Sequence, residues 1–322
     1  MRFLEVTERD GRYVARLSEA PEPKPEAGEV LVRVAASGVN RADLSQIAGH
    51  YPPPAGESPI LGMEISGTAG TGRPVCALLA GGGHAEAVAV PEGQIFPAPR
   101  ALDLVRAAAI PEAFLTAFVN LVVEAALREG EALLVHAGAS GVGLAAIALG
   151  KLLGARVAAT TRTPEKIPAL LQAGADLAID TSSEDFADAI ERHWGASSVG
   201  VVLDPVGAAA LPGDLRLLAT GGRVVFLATM SGSRAELDIR VLMGKRARLI
   251  GSTLRSRSRA EKARLVERFE KEVLPAFDAG RLRVAIDSVY APENAVAAFT
   301  RMRENRNIGK ILIDWGELTL DS

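Results

Sequence analysis

The chain has 322 residues, 48% of them apolar and 23% charged, with a formal net charge of −3. That length carries two domains with substantial cores, and that charge excludes an electrostatic case for nucleic acid or an anionic membrane surface. A single cysteine, Cys76, excludes an intrachain disulfide and a cysteine-rich metal framework.

The N-terminal residues Met1–Glu5 lack the apolar core of a signal peptide, and no uninterrupted apolar run has membrane-spanning length. The expectation is a reduced, cytoplasmic protein. The first third reads as β-rich. Val30–Val34 and Glu86–Val90 have strand character, and Gly28-Glu29 marks a turn before the first. Pro52, Pro53 and Pro54 require a loop, and the glycines between 59 and 83 suit tight turns in a small barrel-like domain.

From about Leu104 the texture changes. Ala-rich helical segments run through Ala107 to Leu127. Strands are then expected at 132–136, 155–161, 176–179, 199–204, 222–228 and 247–252, with helices at 141–153, 164–173, 184–193, 208–218 and 239–244. This alternation predicts a doubly wound parallel sheet. Val199–Leu203 is apolar on both faces, as a sheet covered by helices requires. Residues 259–279 read as one charged amphipathic helix, and Gly309–Asp314 as a final strand returning to the first domain.

The most informative stretch is Leu133 to Ile147, a short apolar strand, a turn containing Gly138, Gly141 and Gly143, and a run of helix formers from Leu144. Strand, glycine turn and helix in that order form the first unit of a dinucleotide-binding fold. A pyrophosphate must approach backbone N–H groups at a helix N-terminus, which larger side chains would prevent. Gly143 is expected to let the helix press on the strand, and Val142 lies within the same turn. The second strand ends in Thr160-Thr161-Arg162-Thr163, without the acid that commonly bonds the adenosine ribose in NAD sites. Arg162 and Lys166 supply cations, and Thr161 and Thr163 hydroxyls, for a 2′-phosphate. The expectation is NADPH, with NADH as the lesser option. Arg162 and Lys166 also read as ordinary solvated residues.

With the glycine turn placed, scattered stretches carry a wider resemblance. They include Ala36–Leu44, Ile60–Gly67, Cys76–Gly83, Ile110–Thr116, His136–Gly143, Gly251–Arg257 and Asn307–Ile311. The chain resembles the quinone oxidoreductases of the medium-chain dehydrogenase/reductase superfamily, closest to their p53-inducible branch. The resemblance implies an α/β fold with a GroES-like β-rich substrate domain plus a Rossmann doubly wound parallel sheet. It places the substrate domain at 1–120, completed by about 258–322, and the dinucleotide-binding domain at 121–257. It also implies a dimer or tetramer built by edge-to-edge sheet contact, with a homodimer expected, and a small aromatic quinone as substrate, with no nucleic acid or membrane partner.

The zinc-dependent relatives of this architecture need Cys and His ligands. Where they carry a catalytic Cys this chain has Asn40, and where they carry Gly-His-Glu it has Gly62-Met63-Glu64. An amide and a thioether do not replace thiolate and imidazole for Zn²⁺. His50, His84, His136 and His193 show no paired ligand spacing. A quinone accepts electrons readily, so positioning against a nicotinamide supplies much of what its reduction needs.

The resemblance also assigns residues. Asn40 either bonds the nicotinamide ribose or substrate, or caps the helix starting near Arg41. Tyr51 is expected to stack on an aromatic substrate or donate to a carbonyl oxygen. Ser140 is kept as a substrate-orienting or phosphate-bonding hydroxyl, and Thr116 as a contact on the nicotinamide side. Val206 and Gly207 form a small turn for the ribose. Phe226, Leu227 and Ala228 wall the nicotinamide or belong to the core. Thr253, Leu254 and Arg255 lie near the carboxamide, and Lys310 matches a family lysine. Arg255, Arg257 and Arg259 also read as a solvated or dimer-edge charge run.

Several departures qualify these assignments. Asp180 stands near the adenosine phosphate, where an inward acid would repel a 2′-phosphate. His84 and Ala87 stand where relatives often have Tyr, and the segment from Gly67 to Val75 is short. Three readings follow: an NADPH:quinone reductase transferring a hydride or single electrons, an NADPH-dependent alkenal or enone double-bond reductase, and a non-catalytic NADPH-binding sensor. The enone reading needs a proton donor, for which Tyr51 is the candidate.

Overall fold

The computed structural model describes residues 1–70 and 72–316. Thr71, in the short segment after Gly67, and residues 317–322 of the expected 258–322 segment lie outside the described residues. Two compact units divide the chain: Met1–Leu115 joined by the stretch from Leu254 onward, and Thr116–Thr253.

Unit 1 opens with β1 (Arg2–Arg9) and β2 (Arg12–Glu19), an antiparallel hairpin. Its turn residues Asp10 and Gly11 have φ of 50° and 70°, the conformation that Asp-Gly favours in a two-residue loop. The chain continues through β3 (Glu29–Val39), α1 (Arg41–Ile47), β4 (Glu64–Ala69), β5 (Arg73–Leu78), β6 (Ala87–Pro91), β7 (Ile95–Pro97), α2 (Leu104–Ala107) and α3 (Pro111–Phe118). Unit 2 follows with β8 (Ala132–Val135), α4 (Gly141–Leu152), β9 (Arg156–Thr161), α5 (Ile167–Gln172), β10 (Leu177–Asp180) and α6 (Phe186–Trp194). It closes with β11 (Val199–Asp204), α7 (Leu211–Leu217), β12 (Leu218–Phe226), α8 (Ile239–Lys245) and β13 (Arg248–Gly251). The return to unit 1 brings α9 (Arg259–Glu272), α10 (Pro275–Asp278), β14 (Ile286–Tyr290), α11 (Ala295–Arg303) and β15 (Lys310–Asp314).

Unit 1 is built on a mixed sheet of order β14-β15-β3-β4-β5-β7, with β6 also paired to β3. The last strand pairs antiparallel with β3, Ile311 opposite Val39, so the end of the described chain completes the sheet that the first third begins. Leu4, Val34, Ile65, Val90, Phe299 and Ile313 pack together in its core. Unit 2 is a six-stranded parallel sheet of order β10-β9-β8-β11-β12-β13. All residues of β8 and β11 are buried, as strands covered on both faces must be. Strand order reverses beside β8, which puts the glycine turn at the point where open α/β sheets form their ligand crevice.

Three expectations need correction. The 259–279 helix is two, because Pro275 lacks an N–H and its ring clashes with the carbonyl one turn back. The helical run from Ala107 to Leu127 breaks before Pro111 and ends as a π-helical turn over Val119–Glu124. The fifth strand of the sheet starts at Leu218 instead of 222, with Leu218 opposite Val199 and a register shift that Gly221, at φ 80°, accommodates. The longest apolar stretch, Leu104–Glu124, is interrupted by Arg106, Glu112 and Asn120, and 78% of its most apolar window is buried inside the fold.

Candidate active site

In a parallel sheet every strand ends at the same edge, and unit 2 uses this to gather its candidate residues. The Gly138–Gly143 turn follows β8, Thr161 ends β9 with Arg162 next, Val206 and Gly207 follow β11, Phe226 ends β12, and Thr253 lies just past β13. Leu227 and Ala228 are half-buried beyond Phe226, and Thr116 is 7% exposed on α3.

The turn after β8 is tight. A Cβ on Gly143 would lie 2.6 Å from the carbonyl oxygens of both Ala137 and Gly138, so only glycine fits. This corrects the expected helix–strand contact, since Gly143 relieves the turn itself. The glycine that lets α4 approach the sheet is Gly150, where a Cβ would lie 2.7 Å from Leu133 Cδ2. Ser140 is the N-cap of α4, its hydroxyl oxygen accepting the Gly143 N–H at 3.0 Å. That occupation explains the serine without any reacting group. The N–H groups of Gly141 and Val142 meet no acceptor among the described residues. They supply the unsatisfied donors and positive dipole end that a phosphate seeks.

Arg162 is exposed beside Thr161, whose hydroxyl accepts the Thr163 N–H at 3.2 Å. Lys166 is half-buried one turn on. Asp180 is register-paired with Thr161, yet its carboxylate accepts the N–H and hydroxyl of Ser182 at 3.0 and 2.7 Å. Those bonds hold its pKa below the usual value and aim the charge into its own turn.

The turn after β11 is less available than its small residues suggest. Val206 and Gly207 donate their N–H groups to Asp204 Oδ1 at 2.6 and 3.0 Å, and Val206 O accepts from Ser231 N and Oγ. Sequence reasoning missed Asp204, although an acid two residues before a Val-Gly turn is the signal for such a clasp.

Unit 1 holds the other candidates in a closed polar cluster. Asn40 precedes α1, but its amide nitrogen donates to Glu64 Oε1 at 2.8 Å and its oxygen accepts from Lys310 Nζ at 2.6 Å. Asp43 caps the helix from within, accepting the Asn40 N–H at 2.7 Å and the Gly62 N–H at 3.0 Å. Lys310 Nζ also donates to Val39 O and lies 2.5 Å from Glu64 Oε1. An ammonium has three donors and all are engaged, so Lys310 is corrected from a cofactor contact to the internal partner of Glu64. Glu64 is fully buried and leaves no room for a Cβ on Gly38. Deeper still, Trp315 Nε1 donates to Ser37 Oγ, which bonds His84 Nδ1 at 2.8 Å.

Arg255, also in unit 1, donates from Nε, Nη1 and Nη2 to Ala80 O, Tyr51 O and Gln46 Oε1. It is corrected from a cofactor contact to a strut of the proline loop, buried next to Leu254. Its guanidinium carbon lies 5.1 Å from the Tyr51 ring centre, a cation–π distance. Burial, helped by Glu112 and opposed by Arg255, pushes the half-buried Tyr51 phenol up. Cys76 is buried and its thiol is pushed far up by desolvation, which makes it inert.

A zinc ion does not fit this cluster. Among the described residues no three His, Cys, Asp or Glu side chains converge on a metal position. At Glu64 the counter-charge is already the Lys310 ammonium, and Met63 is buried. A dinucleotide does fit unit 2, where the Gly141 and Val142 N–H groups meet no acceptor among the described residues at the head of α4.

Two family models match the chain, "Alcohol dehydrogenase GroES-like domain" over residues 26–73 and "Zinc-binding dehydrogenase" over 141–271. The human quinone oxidoreductase is 29% identical over 316 residues, 92% of each chain. The quinone oxidoreductase of Thermus thermophilus, solved alone and with NADPH, is 33% identical, with a TM-score of 0.82 over 98% of this chain and 100% of that one. The JamJ enoyl reductase has a TM-score of 0.83 at 22% identity over 98% and 99%, which shows the shared fold alone.

Proposed function

Because the chain belongs to the quinone oxidoreductase family of the medium-chain dehydrogenase/reductases, and is therefore an oxidoreductase that uses a nicotinamide cofactor, we propose that it is a metal-independent NADPH-dependent quinone reductase. The observation that carries the cofactor choice is the end of β9, where Arg162 follows Thr161 and the nearest acid, Asp180, is turned into its own loop. In this reading the Gly141 and Val142 N–H groups take the pyrophosphate, Gly138 and Gly143 let the turn pack closely enough to present them, and Arg162 with Lys166 takes the 2′-phosphate. Phe226, Leu227, Ala228, Thr116 and Thr253 are the candidates for the nicotinamide side.

The bound nicotinamide supplies the reducing equivalents, and this chain's part is to orient the acceptor and keep water out. Tyr51 offers an aromatic face stiffened by Arg255. Reduction of an enone asks for a proton donor whose pKa lies near the working pH, and Tyr51 is displaced away from that range. This favours a quinone over the second reading, an alkenal or enone reductase, for which the enoyl reductase fold is a precedent. A para-quinone and a linear enone, each assayed with NADPH, separate the two. A higher kcat/KM for the quinone is expected, and a higher value for the enone exchanges the readings.

We further propose a homodimer through β13. That strand is the last of its sheet and pairs on one side with β12 alone, while Met243 and Ile239 of the adjoining α8 are 70% and 62% exposed. A charged substitution at Met243 is expected to shift the elution volume to that of a monomer.

A further inference from the structure

Unit 2 buries three titratable side chains that the reading above does not use. His136, which ends the approach to the glycine turn, is 3% exposed, and Asp204 and Asp214 are fully buried. We propose that ionised Asp204 is a positioning residue for the cofactor, clasping the turn after β11 to the segment after β12, so that cofactor affinity falls when its carboxylate takes up a proton. The proposal rests on the reading of this strand edge as the cofactor site.

The side chain holds its own turn, and the backbone of that turn binds the next. Asp204 Oδ1 accepts the N–H groups of Val206 and Gly207, and Oδ2 faces Gly207 N at 3.1 Å. The turn so formed binds the next one directly. Leu227 N donates to Asp204 O at 3.1 Å, Ser231 N to Val206 O at 2.8 Å, and Ala208 N to Gly232 O at 3.2 Å. Gly207 has φ 86°, and a Cβ there would lie 3.0 Å from Gly232 O, which measures how closely the turns approach. Phe226, Leu227 and Ala228 lie inside this clasp. Hydrogen bonds to an ionised acceptor are about twice as strong as neutral ones. A proton on Oδ2 would also turn an acceptor into a donor facing the Gly207 N–H.

The surroundings make that proton easy to acquire. The charged groups facing Asp204 are Asp214 from α7 and His136 from the end of β8. His136 Nε2 bonds Asp214 Oδ1 at 2.8 Å and Nδ1 bonds Thr160 Oγ1 of β9 at 3.0 Å, while the uncharged Phe186 ring of α6 packs edge-on at 4.7 Å. Burial works against protonation of His136, but Asp214 outweighs it and its pKa stands above the ordinary value. Asp214 Oδ2 has no partner among the described residues. One imidazole thus answers two buried aspartates. Burial and Asp214 push Asp204 up to about 6, with His136 and the turn N–H groups pulling the other way.

The test is calorimetric binding of NADP⁺ to the wild type and to Asp204→Asn from pH 5 to pH 8. The 2′-phosphate titrates in the same range, so the quantity read is the variant-to-wild-type ratio of Kd at each pH, in which the ligand's own titration cancels. The ratio is expected to be about tenfold at pH 8 and near unity at pH 5, a tenfold change corresponding to about 1.4 kcal/mol. A ratio that stays constant across the range overturns the proposal. Should the variant not fold, amide exchange on the cofactor-free wild type serves instead, corrected for intrinsic rates. Protection of Val206 and Gly207 is expected to fall below pH 6 relative to Val201–Leu203, and unchanged relative protection overturns the clasp. If folded wild type binds neither NADP⁺ nor NAD⁺ at any pH, the cofactor reading itself fails.

Discussion

Two buried charge clusters, one in each unit, solve the same problem in opposite ways. In unit 1, Glu64 faces the Lys310 ammonium and the Asn40 amide, and Oε2 accepts the Glu112 N–H at 2.8 Å. One negative charge meets one positive charge, and the ammonium's donors are all used. In unit 2, His136 answers two aspartates, one of their oxygens has no partner among the described residues, and Asp204 is pushed toward neutrality. A closed cluster of the first kind holds its surroundings in one arrangement. An unbalanced one responds to pH, and here it lies under the strand edge proposed for the cofactor.

The contrast is most sharply broken at Lys310. Lys310→Met leaves Glu64 buried without its counter-charge, and unfolding in denaturant should show a loss of about 3–5 kcal/mol. The double variant Glu64→Gln/Lys310→Met should recover much of it. Asp204 behaves oppositely. Its folded-state pKa is raised, so its contribution to stability is present at low pH and is lost as pH rises from about 4 through about 6. Stability measured at pH 4.5 and pH 7.5 should fall for the wild type relative to Asp204→Asn by on the order of 2 kcal/mol. Within the glycine turn, Gly143→Ala forces a methyl against two carbonyl oxygens, and binding titrations should show the NADPH Kd raised by about tenfold. The smallest expected effect is at Ser140. Ser140→Ala removes the α4 cap and should cost about 1 kcal/mol in thermal unfolding, with kcat for a quinone unchanged if the hydroxyl only caps.

The parallel sheet was legible because both its strands and its punctuation are local signals. Apolar runs such as Val199–Leu203 and the glycines at 138 and 143 specify element and turn within a few residues of each other. The β1–β2 hairpin carried its own signal in Asp10-Gly11, but its strands alternate polar and apolar residues weakly. The buried clusters were not legible for a different reason. His84 meets Ser37, Glu64 meets Lys310, and His136 meets Asp214 across 47, 246 and 78 positions of sequence. No local pattern records such pairings, so Lys310 and Arg255 read as ligand-facing cations when both are bonded inside unit 1. The short-range Asp204–Gly207 clasp is the exception, since its spacing was visible.

The central claim is that this chain passes reducing equivalents from NADPH to a quinone without a metal. The most direct measurement is a single-turnover experiment on EDTA-dialysed protein, mixing NADPH, with and without deuterium at C4, against a para-quinone and following the nicotinamide absorbance. The account predicts full oxidation of the bound NADPH, slowed by deuterium on one face of C4. Tight NADPH binding with no oxidation by the quinone would contradict it and leave a cofactor-binding protein without turnover.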